Sequence, residues 1–226
     1  MSAQQSTDTP TPDSTLHTLT VGGTGTAYAP PDVAYVDLGV QTIDTDLATA
    51  FSKTGDSISS VLKALKALGI ADADIQTSGI NVSPQYQYDN NGNITGKPSY
   101  TVSNTIHVTV RQVDQVEKVL TDSVESGANT IQGLSFGIQD MDTVEAHARV
   151  QAVDDAKSRA QQLASELGVT LGKPLVVTET PQTTVPTPIT FGARAGVAAV
   201  APAASQPVSQ GQLSVEVDVQ ITFSIS

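Results

Sequence analysis

The chain has no cysteine and no tryptophan, only four phenylalanines, and 11 Lys and Arg against 23 Asp and Glu. Without Cys there is no disulfide, no thiolate nucleophile and no Cys-based metal site. That suits an oxidising compartment without demanding one. With so few aromatics, a core has to come from Val, Ile, Leu and Ala. A hydrophobic content of 38% over 226 residues supplies enough of them for one large domain or two small ones. The formal net charge of −12 repels phosphate backbones and anionic lipid, which argues against nucleic-acid and membrane-surface partners. Its plain role is solvation. No apolar run approaches the ~20 residues of a membrane helix.

The first 15 residues are polar and Pro-rich, with too little apolar surface to offset the entropy of ordering. They read as a flexible tail ahead of a single domain over 16–226. No apolar stretch in them reads as a signal peptide. An exported protein would be met here as its mature chain, with a new starting Met.

Along the domain, the residue pattern predicts strands and helices in turn. A strand over 16–27 carries Gly22, Gly23 and Gly25, and Pro30-Pro31 turns the chain. Ala34, Val36, Leu38 and Val40 alternate with Tyr35, Asp37 and Gly39, the signature of a half-buried strand. Residues 44–69 form a helix whose stripe is Leu47, Phe51, Ile58, Val61, Leu62, Leu65 and Leu68. Asp44 or Thr45 caps it and Gly69 stops it. The segments 75–88 and 94–111 make a long hairpin around Asn91-Gly92. A short helix over 114–126 and a strand over 131–139 follow.

The long helix over 142–168 has an Ala-rich inner face of Ala152, Ala156, Ala160 and Ala164, small enough to sit close to a sheet. Asp142 and Glu145 give it a capping-box-like start. After a short strand over 174–179, residues 181–210 are dominated by Pro, Thr, Ala, Gly and Gln and read as a mobile loop or excursion. The last strand alternates from Leu213 to Ile225 without a break, so one face is packed and the other wet. Locally pairing strands interrupted by three helices predict an α+β fold, with helices on one face of a largely antiparallel sheet.

Three stretches then carry a resemblance. One is Leu68-Gly69-Ile70, Asp74-Ile75-Gln76-Thr77 and Pro84-Gln85-Tyr86. Another is Tyr100-Thr101-Val102-Ser103-Asn104 leading to Val108-Thr109-Val110-Arg111. The third is Gly127-Ala128-Asn129-Thr130-Ile131, Leu134-Ser135-Phe136, and the Ala-rich helix ending Leu167-Gly168 before Gly172-Lys173. With the early Val21-x-Gly23-x-Gly25 strand, their order and spacing resemble the SIMPL-domain family over nearly the whole chain. The resemblance implies an exported or lipid-anchored protein of a bacterial envelope, periplasmic or extracellular. Members include a periplasmic immunogenic protein that assembles into a large ring with a channel-like opening, and an oxidative-stress defence protein. It brings no catalytic residues and no cofactor. The excursion over 181–210 departs from typical members, and no assembly size transfers.

Several local patterns invite a chemical reading. Gly23-x-Gly25 lacks the third glycine of a dinucleotide fingerprint, since Tyr28 stands there, and a Pro-Pro turn follows in place of a helix. Close backbone approach, or a bulge, explains the glycines better. Asp89-Asn90-Asn91-Gly92-Asn93 resembles a calcium loop, but Ile94 and Tyr100 stand where an EF-hand needs Gly and Glu. His17, His107 and His147 fall on separate elements, which favours surface roles over a metal site. The acidic pairs sit mostly at helix starts, where caps and dipoles account for them. No G-x-S-x-G elbow occurs.

Tyr86, Tyr88 and Tyr100, with Asn91 and Gly92 at the tip, mark the hairpin as a candidate contact surface, because Tyr is enriched at interfaces. Sheet-face packing is the structural alternative. Three readings of function follow. The first is a non-enzymatic envelope protein assembling with copies of itself. The second is a monomeric binding module, recognisable by an apolar pocket with a few polar groups. The third is an enzyme, which the missing catalytic constellations disfavour.

Overall fold

The computed structural model describes residues 17–180, 187–188 and 210–226. The expected tail over 1–15 lies outside the described residues, as does the excursion over 181–210 apart from 187–188 and 210. The chain order is β1 (Thr18–Ala29), β2 (Val33–Asp44), α1 (Leu47–Ala67), β3 (Ile75–Tyr88), β4 (Ile94–Val110), α2 (Val116–Glu125), β5 (Thr130–Gly137), α3 (Met141–Leu167), β6 (Leu171–Thr180), β7 (Thr187–Pro188) and β8 (Leu213–Ile225). The class is α+β with antiparallel pairing. The strands are shared between two sheets, β1-β8-β6 with β7 beside β8, and β3-β4-β2-β5. The molecule divides into two compact units. One gathers β1 to Ala27, α3 from Asp142, β6, and β8 from Val215; the other runs from Tyr28 to Met141 and takes β7 and the start of β8.

In the first unit the two ends of the chain meet as neighbouring strands. Thr20 Oγ1 lies 2.9 Å from Thr222 Oγ1, and Thr24 Oγ1 donates to Asp218 at 2.7 Å, so β1 and β8 run antiparallel. On the face below α3, Val217, Val219, Ile221 and Phe223 of β8 join Val21 and Ala27 of β1. The helix meets them with Ala148, Ala152, Ala156 and Ala160, spaced four apart and fully buried. Gly23 and Gly25 lie between Val21 and Ala27 on that same face. A β-carbon on Gly23 would fall onto the Ala152 carbonyl and the Ala156 amide; one on Gly25 would strike the backbone of Ala148 and Ala152. The glycines and the alanine stripe are therefore one device, letting helix backbone rest on strand backbone.

In the second unit β2 is central, with Val36 opposite Val108 on one side and Leu134 on the other. Its buried face, Ala34, Val36, Leu38 and Val40, packs with Ile106, Val108 and Val110 against Ile58, Val61 and Leu65 of α1 and Val116 and Val119 of α2. Each buried Val, Ile or Leu among them contributes roughly 1.5–3 kcal/mol by removal from water.

The N-cap of α1 is Asp46, whose side chain accepts from the Thr49 amide at 2.8 Å; neither Asp44 nor Thr45 takes that place. Asp44 instead accepts from the Asp46 amide and from Lys53 Nζ. Gly69, at φ 85, ends the helix region as expected. At the other long helix, α3 begins at Met141, so Asp142 sits in its first turn and does not cap it.

Candidate functional site

The feature that stands apart from both cores is the β3–β4 hairpin. β3 is 14 residues long, lies at the edge of its sheet, and contains no charged residue. Edge strands expose a row of unpaired N–H and C=O groups, and proteins ordinarily protect them with charges, prolines or bulges. Here the protection is Pro84 and two register shifts, between Thr77 and Gly79 and between Gln85 and Gln87.

At the tip the Gly92 amide donates to the Asp89 carbonyl at 3.0 Å, and Gly92 takes φ 83. No residue other than glycine has positive φ among the described residues. The turn thus places Gly at its last position and leaves Asn91 at negative φ. The Asp89 carboxylate accepts from the Asn91 and Asn93 amides at 2.9 and 2.8 Å. Those bonds, led by Asn93, hold it below the usual carboxylate range.

Tyr86 and Tyr88 stand out from β3, 45% and 63% exposed. Tyr100 is half-buried on β4, opposite Pro84 on one side and Asp44 on the other. The hairpin holds the three tyrosines on adjacent strands without stacking them, since none has a ring contact with another described residue. Ile94 at 57% exposure adds apolar surface near the tip.

A neighbouring feature was not read from the sequence. Leu47 and Phe51 head the apolar stripe of α1, yet they remain 40% and 54% exposed, beside Ile80 and Val82 of β3 at 57% and 40%. Leu47, Phe51 and Val82 border an open apolar groove between helix and edge strand. Beneath Phe51 a recess of about 200 Å³ is lined by Thr54, Gly55, Ile80, Val102 and Asn104. The Asn104 Oδ1 is buried with no hydrogen-bond partner. The α1 stripe pointed to this surface only as far as saying that Leu47 and Phe51 face the sheet. That β3 lies beyond the helix's cover is a tertiary fact.

The opposite face of the same sheet brings Asp37 and His107 together as directly opposed residues, 2.8 Å apart through Nδ1. Tyr35 stacks on the imidazole at a centroid distance of 5.8 Å. A carboxylate that fixes a ring nitrogen orients the imidazole. No third His, Cys, Asp or Glu joins them as a metal-holding group among the described residues. Arg111 clamps Asp74 by two bonds of 2.9 and 2.7 Å and reaches Gln139 with its remaining arm. That clamp holds the Asp74 carboxyl below its ordinary range. In the first unit Arg149 grips Glu179 in the same bidentate way, at 2.7 and 2.8 Å, and Glu145, one helical turn back, lies farther off at 3.9 Å. No helix among the described residues is long and apolar enough to cross a membrane.

Comparison with known proteins places this arrangement among relatives. The family model SIMPL, described as a protein of unknown function (DUF541), matches residues 19–223. The chain is 34% identical over 210 residues to the 26 kDa periplasmic immunogenic protein of Brucella melitensis, covering 92% of this chain and 84% of the relative. It is 29% identical to the uncharacterized protein YggE of Edwardsiella ictaluri, covering 93% and 87%. It is 27% identical to YggE of Escherichia coli K12, covering 92% and 82%.

Proposed function

Because the chain belongs to the SIMPL family, we propose that it is a non-enzymatic protein of the bacterial cell envelope that assembles with copies of itself through its β3–β4 hairpin. The observation that carries the reading is the edge strand: 14 residues without a charge in a chain of net charge −12. Like-charged copies repel, so they meet most readily where charge is absent. An edge strand there supplies main-chain hydrogen bonds to an added strand. Tyr86, Tyr88 and Tyr100 supply amphipathic contact area around it, with Asn91 and Gly92 shaping the tip. The periplasm is the compartment named by the Brucella relatives, and a chain without cysteine suits it. We read residues 16–226 as one functional domain, since the family match runs through both units. A stress-defence or structural role would be exercised by the assembly.

Replacing Gln85 and Gln87 with lysine tests this directly. Both are exposed on β3, so the fold should tolerate them, while charge on the edge opposes strand addition. The double variant should have a smaller solution mass than the parent chain at equal concentration. An unchanged multimeric mass would remove the hairpin from the interface.

A second reading, a monomeric binding module, is favoured by the recess under Phe51, which Asn104 helps to line among largely apolar side chains. A single-chain mass would shift the search there.

A further inference from the structure

We infer that two copies pair through β3 about a two-fold axis at Val82, strand antiparallel to strand. This presupposes assembly through the hairpin and specifies its geometry. An added strand needs a regular stretch to follow, because a bulge twists the strand and breaks the ladder. The register shifts of β3 fall between Thr77 and Gly79 and between Gln85 and Gln87. The uninterrupted run is therefore residues 79–85, and its middle residue is Val82. Two identical strands related by a closed two-fold must run antiparallel, each residue meeting its mirror position. Val82 then faces Val82 of the second copy, and Ile80 faces Pro84. Pro84 has no N–H to give, so each Ile80–Pro84 pairing forgoes that ladder bond and the residues nearer Val82 carry the ladder.

The side chains argue for the same axis. Ile80 and Val82 pair with Asn104 and Val102 of β4; Val82 lines the groove beside Leu47 and Phe51, and Ile80 the recess beneath Phe51. They are 57% and 40% exposed in the single chain. Pairing at Val82 brings the two grooves edge to edge, so the two apolar strips become one continuous strip across the seam. No charged side chain of β3 opposes the approach.

The absence of cysteine makes the geometry readable by cross-linking. Directly opposed β-carbons of an antiparallel pair lie about 4.5–5.5 Å apart, close to what a disulfide spans. Val82→Cys, treated with a mild chemical oxidant, should form a disulfide dimer on the order of a hundredfold faster than Tyr28→Cys, because pairing raises the local thiol concentration from micromolar toward millimolar. Tyr28 is 62% exposed and lies off the hairpin, so it reports random collision. A multimeric parent chain whose Val82→Cys variant links no faster than Tyr28→Cys overturns the axis while leaving assembly intact. A single-chain mass at every concentration, with no preferential linking, overturns both. Val82→Lys gives an independent check: opposed like charges should lower the solution mass while the melting midpoint holds, and an undiminished mass contradicts the contact.

Discussion

Gly23 lies so close to Ala156 that a β-carbon built on it would sit 2.7 Å from the alanine's own methyl carbon. Real β-carbons do not approach that closely, so α3 would have to lift from the sheet. Gly23→Ala should destabilise the protein by roughly 1–3 kcal/mol, the usual cost of overpacking a filled interior. Gly22→Ala is the control. A β-carbon there meets only the Val219 carbonyl at 3.9 Å and should change little. Urea midpoints of the two variants check this, and equal midpoints would show that the helix is not seated on the glycines.

Asp74 gives a pH prediction. Its side chain is only 11% exposed, and hydrogen bonds from Arg111 hold its carboxyl below the ordinary 3.8. A carboxyl with a lowered folded value stabilises the fold above the unfolded value and loses that contribution as pH falls through the folded one. Asp74→Asn should lower the melting midpoint by roughly 2–4 °C at neutral pH. The gap to the parent chain should close as pH drops well below 3.8. A gap that stays constant with pH would assign the loss to packing and not to the ion pair.

Removing the hairpin tip, residues 89–96, separates assembly from folding. Every residue of that tip is exposed and belongs to neither core. The deletion should change the multimeric mass while moving the melting midpoint little. A large fall in the midpoint would mean that the tip braces the fold.

Much of this architecture was legible because the relevant signals are local. The unbroken alternation from Leu213 to Phe223 does mark a strand with one buried face, and Asn91-Gly92 does turn a hairpin. The alanine stripe of α3 and the glycines of β1 each predicted close approach, and each was right because the other lies beneath it. The partition into two sheets was not legible. β8 joins β1 from the far end of the chain and leaves β2 to pair with β4 and β5, and alternation says which face is buried but not which strand lies alongside. Phe51 shows the same limit. Its helical spacing predicted a core residue, but the helix covers β2 and β4 and leaves β3 uncovered, so the start of the stripe borders an open groove. The cap of α1 shows it on a smaller scale: three hydrogen-bonding side chains precede the helix, and only the observed Thr49 amide bond selects Asp46.

The central claim is that the uncharged edge of β3 exists to be covered by another copy. The most direct test is the solution mass of the purified chain, by light scattering after size exclusion at near-physiological salt. The account predicts a mass that is a multiple of the 23.4 kDa chain and that falls when lysines occupy positions 85 and 87. A single-chain mass, held as concentration is raised, would contradict it.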